Sequence, residues 1–65
     1  MSVTKDNLDH RLMRLQSSTA NLREYLFRGN YEVLQVSIIE ACWNQIHYEF
    51  EEARKLATDL IKEIS

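Results

Sequence analysis

The sequence predicts an all-α chain: an antiparallel two-helix hairpin, coiled-coil-like, that completes a four-helix bundle by dimerising. Three observations predict it. Apolar residues recur at alternating steps of three and four through both halves of the chain, the spacing that gathers side chains on one helical stripe. The only glycine, Gly29, falls near the middle and proline is absent, so little in the chain suits the tight turns of a β fold. Finally, the chain has 65 residues, and a single core of that size rarely supplies more than about 3–5 kcal/mol without staples. Association with another chain is then the route to a full core.

Helix 1 is expected over about residues 4–28. Its stripe is Leu8, Leu12, Leu15, Leu22 and Leu26, with Thr19 filling the series. Ser2 or Thr4 can cap the start, and Asp6 and Asp9 suit the positive end of the helix dipole. Arg28 falls in the last turn, and Gly29 sits where a left-handed C-terminal residue is wanted. The turn is placed at 29–30.

Helix 2 is expected over about 31–64, with Asn30 as its N-cap and Glu32 in its first turn. Val36, Ile39, Trp43, Ile46, Phe50, Ala53, Ala57, Leu60 and Ile64 form its stripe. The β-branched residues of 31–39 have some strand character, but no second strand exists to pair with them and the heptad runs through them. The whole of 1–65 thus reads as a single helical hairpin.

Folding at Gly29-Asn30 predicts a register. Leu26 opposes Val36, Leu22 Ile39, Thr19 Trp43, Leu15 Ile46, Leu12 Phe50 and Leu8 Ala53. These eleven apolar residues with Thr19 are the expected hairpin core, and small Thr19 against large Trp43 is the alternation that interdigitation requires.

A second apolar stripe remains. Met13, Ala20 and Phe27 repeat every seven residues beside the seam of helix 1, and Leu34, Ile38, Cys42 and Leu56 widen that of helix 2. Leu60 and Ile64 would lie beyond the reach of helix 1. A broadened stripe is ordinary in a larger protein, but a lone hairpin has nothing to cover it. These nine residues are the expected interface with a partner, either a homodimeric twin or a different helical protein. The pattern stops without a cap after Ile64, which fits a piece cut from a longer chain.

Charge is uneven, at +2 over residues 1–30 and −4 over 31–65, which favours docking of the two halves. No apolar run approaches the roughly 20 residues needed to cross a membrane, and the N-terminus lacks an apolar signal core. An intracellular setting, cytoplasmic or nuclear, is the resulting expectation.

Catalytic and metal readings find little support. Asp6 with His10 and His47 with Glu51 lie four apart, but zinc needs three or four ligands, and surface pairs of this kind are ordinary. Cys42, the single cysteine, has no histidine one turn away to deprotonate it and reads as a small buried hydrophobe. No metal, cofactor or enzymatic activity is expected. The expected function is protein–protein interaction or oligomerisation through helix packing.

The length, the central turn and the a/d seams resemble the small plasmid-encoded Rop hairpins, which pair into four-helix bundles and bind RNA with one face. No sequence motif matches them. The alternative implied by that resemblance is a small regulator using the basic residues of helix 1, Lys5, Arg11, Arg14 and Arg23, with His10 beside them. The net charge of −2 and the lack of interleaved aromatics count against nucleic acid. An Arg/Leu-rich helix followed by one with Leu34, Ile39, Trp43, Ile46 and Phe50 on one face is also similar to the N-terminal region of some retroelement Gag polyproteins.

Overall fold

The computed structural model describes residues 2–65. Two helices pack against each other, and there is no strand among the described residues. Helix α1 spans Val3–Arg28, a single 3₁₀ turn covers Tyr31–Val33, and helix α2 spans Val36–Ile64. The long axis measures 50 Å against 15 and 13 Å across.

Ser2 caps α1, its Oγ accepting the Lys5 amide at 3.3 Å, which satisfies one of the orphan N–H groups of a helix start. The same hydroxyl donates to Glu63 Oε1 at 3.0 Å and so ties the first turn of α1 to the last turn of α2. At the other end the Gly29 amide donates to Tyr25 O at 3.0 Å.

The connection differs from the expected two-residue turn. Gly29 is not left-handed; it leaves the helix extended, at φ −86° and ψ 135°. The Val33 amide then bonds to Asn30 O at 2.9 Å, and Leu34 and Gln35 are extended again. Helix α2 therefore begins at Val36 rather than near residue 31. Asn30 and Glu32 imitate a helix start, but the turn ends at the β-branched Val33, and the extended dipeptide carries the chain across to the second axis. Leu34 folds back over Gly29, where a Cβ would lie 2.7 Å from Leu34 Cδ2. Glycine gives Leu34 room here and is not needed for backbone handedness. The Gln35 amide donates to the Tyr25 hydroxyl at 2.9 Å, which pins the start of α2 to the end of α1.

The seam is rotated from the expected one in both helices. Half-buried positions on α1 are Thr4, Leu8, Arg11, Leu15, Ser18, Thr19, Leu22 and Tyr25; on α2 they are Ile39, Cys42, Ile46, Glu51, Glu52, Leu56, Ala57 and Leu60, with Glu49 and Ala53 buried. Each helix thus contributes two columns of seven-residue spacing. Leu8, Leu15 and Leu22 face Ile39, Ile46, Ala53 and Leu60. Arg11, Ser18 and Tyr25 accompany Cys42, Glu49 and Leu56. Arg11 Nη1 lies 3.6 Å from Glu49 Oε2, and Gln45 Nε2 donates to Glu49 Oε1 at 2.8 Å.

Leu12, Leu26, Val36, Trp43 and Phe50, which the spacing places in the core, are exposed. The physical reason is width. Helices that meet over Ser18, Cys42 and Ala53 approach closely, whereas interaxial distance grows with the side chains at the contact, and the Trp43 and Phe50 rings would hold them apart.

Candidate functional site

The rotation gives the hairpin two unlike sides. Successive residues of an α-helix turn by about 100°. In an antiparallel pair, the residue following each seam position turns toward the same side of both helices. Leu12, Thr19 and Leu26 follow Arg11, Ser18 and Tyr25; Trp43, Phe50 and Ala57 follow Cys42, Glu49 and Leu56. These six therefore share one side of the hairpin, flanking the leucine and isoleucine column of the seam. Trp43 is 58% exposed and Phe50 49%, and Val36, Ile61 and Ile64 prolong the apolar strip toward its ends. This side is the candidate site.

The opposite side is polar. Its groove is lined by Asn7, His10, Arg11, Arg14, Ser17, Ser18, Glu49, Glu52 and Lys55, with Met13 and Leu56 at its edges. Glu52 pairs with Lys55 at 3.5 Å, and Glu51 reaches Arg54, at 3.6 Å. Glu24 and Arg28 pair at 2.6 Å.

The stripe expected to meet a partner is divided by the structure. On α2, Cys42 and Leu56 are half-buried in the hairpin seam, Leu34 covers Gly29, and Ile38 lies at the seam's polar edge. Leu60 is half-buried near the N-terminus of α1, while Ile64 is exposed. On α1, Met13, Ala20 and Phe27 point away from α2, and Phe27 is 91% exposed. The two stripes of α2 have exchanged roles: the narrower one closes the hairpin, and the wider one with Trp43 and Phe50 faces out. Periodicity cannot separate them, because they share Ile39, Ile46, Ala53 and Leu60.

Arg11 and Glu49 were not foreseen as interior. Arg11 keeps 28% of its side chain exposed and Glu49 only 5%. Neither Arg11 Nη1 nor Glu49 Oε2 has a hydrogen-bond partner of good geometry, so the pair is held by charge. The signal available was their opposite sign at matching levels of the hairpin.

The basic residues of α1 do not assemble on one face. Arg11, committed to Glu49, lines the polar groove with Arg14, whereas Lys5, seven residues before Leu12, and Arg23, which follows Leu22, turn toward the apolar side. Among the described residues no three His, Cys, Asp or Glu side chains are grouped to hold a metal ion. Among the same residues no helix is long and apolar enough to cross a membrane. Comparison with protein-family models, with curated proteins and with solved structures finds no match to this chain.

Proposed function

We propose that this chain is an oligomerisation module whose apolar side closes on a second copy of itself to form a four-helix bundle. Its work is packing and not catalysis. The observation that carries the reading is the one-sided exposure of Leu12, Leu26, Trp43 and Phe50 beside a seam in which Ala53 is the single buried apolar residue among those described.

Area supports the reading. A compact folded chain of this mass exposes about 4,300 Å², whereas the hairpin exposes 5500 Å². The surplus, about 1,200 Å², exceeds the roughly 800 Å² that each partner contributes to a standard interface. Leu12, Leu26, Trp43 and Phe50 contribute to that exposed area from one side, as a self-complementary contact about a two-fold axis requires.

Sedimentation equilibrium at tens of micromolar tests it. The wild-type chain is expected at twice its 7.7 kDa mass. With 58% of Trp43 available for burial, out of a side chain of about 250 Å², covering it contributes about 3 kcal/mol per copy. Trp43→Glu, which also places a charge in the interface, should weaken the dimer at least about a thousandfold. A wild-type chain that sediments as a stably helical monomer overturns the proposal.

A further inference from the structure

Given a dimer of this kind, two face-to-face arrangements are open. A two-fold axis parallel to the helices sets each α1 against α2 of the other copy and puts both turns at one end. An axis across the helices sets α1 on α1 and α2 on α2, with the turns at opposite ends. We infer that the axis runs parallel to the helices, so that the two chains interlock α1 against α2 with their turns side by side. This rests on the dimer proposed above and adds the arrangement of the second copy.

Charge is the first argument. Across Val3–Arg28 five basic residues stand against Asp6, Asp9 and Glu24, a net of +2; across Val36–Ile64 three basic residues stand against six acidic ones, a net of −3. The parallel axis places opposite net charges at every contact between neighbouring helices. The perpendicular axis would lay two helices of −3 side by side. Complementary potentials of this kind select register and orientation more than they add affinity.

Side-chain size is the second, independent argument. Residues at one level of the hairpin have numbers adding to about 60, as Arg11 with Glu49 and Tyr25 with Gln35 do. Trp43 therefore lies level with Ser17, Ser18, Thr19 and Ala20, the longest run of small residues in α1. With the parallel axis, α1 of the second copy presents Thr19, the member of that run on the apolar side, to the exposed indole, large against small. With the perpendicular axis, whose midpoint falls near residue 15 of α1, the two Trp43 rings would crowd each other about one turn apart.

The test is a distance between copies. In a Cys42→Ser background, a spin label on Asn30→Cys at the exposed turn reports on the arrangement by pulsed dipolar spectroscopy. Helices 8–10 Å apart put side-by-side turns within about 15–25 Å of each other. Turns at opposite ends of a 50 Å hairpin would give a separation of about 40–50 Å. The short distance supports the inference. A long distance in a particle of dimeric mass overturns the arrangement while leaving the dimer intact. A monomeric mass with no dipolar coupling removes both. Should Cys42→Ser disturb the seam, isotope-filtered contacts in the unmodified chain serve instead. Contacts from the Trp43 indole to the Thr19 methyl of the second copy are expected, and indole-to-indole contacts alone would overturn the arrangement.

Discussion

The ion pair in the seam yields the sharpest stability prediction. Glu49 is buried with two contacts: the Arg11 guanidinium at 3.6 Å and the Gln45 amide at 2.8 Å. Changing Arg11 to Met keeps most of the volume but leaves a buried carboxylate with one neutral donor. Breaking a fully buried pair in this way costs about 3–5 kcal/mol. Arg11 is 28% exposed and water reaches that side, so the expected loss is about 2–3 kcal/mol. Glu49→Leu behaves differently, because the freed arginine can turn its head to solvent along an apolar stem while the new leucine fills the seam. It should be neutral or stabilise by about 1–2 kcal/mol. The double variant should exceed wild type by about 1–3 kcal/mol, since apolar replacements of buried pairs are often stabilising. The cycle then shows a coupling of about 3–4 kcal/mol. Urea unfolding followed by far-UV circular dichroism measures all four proteins, at one fixed chain concentration because association adds to stability. Strict additivity, with Arg11→Met within 0.5 kcal/mol of wild type, would refute the claim that the pair is interior.

Three further outcomes follow from particular contacts. Tyr25→Phe removes the acceptor of the Gln35 amide and should cost about 0.5–1 kcal/mol, with faster hydrogen exchange at Gln35 and the first turn of α2. Gly29→Ala should destabilise by about 1 kcal/mol because its Cβ meets Leu34. In a Leu34→Ala background the same change should become neutral or gain about 0.4–1 kcal/mol, as thermal melts of the four chains can read. Phe27→Ser should leave the sedimenting mass unchanged, because Phe27 stands on the outward face of α1. A shift to monomer would move the interface to the Met13–Ala20–Phe27 stripe.

Much of the fold was legible because apolar periodicity is a direct imprint of burial. The 3–4 spacing marks both helices, Ser2 caps the first, and Gly29 ends it. What periodicity cannot resolve is rotation within a broad stripe. Leu8, Leu15 and Leu22 belong equally to a seam completed by Leu12 and Leu26 or by Arg11 and Tyr25. The choice depends on which side chains let two backbones approach, and on a charge pair between positions 38 residues apart in the chain. Neither leaves a periodic trace. The linker was misread for a local reason: Asn30 and Glu32 look like a cap and a first turn, while the hydroxyl that fixes the true start of α2 comes from Tyr25, ten residues before Gln35.

The contrast between the two sides of the hairpin also bears on how large an assembly can grow. A chain with apolar surface on two opposed sides can add copies without limit and make fibres or sheets. Here the side away from Trp43 and Phe50 carries Asn7, Arg14 and Glu52 along its groove, and a further layer there would have to strip water from charges without offering them partners. In the proposed dimer the polar groove would face outward, and growth on that side would stop by composition, with no separate element needed to cap it.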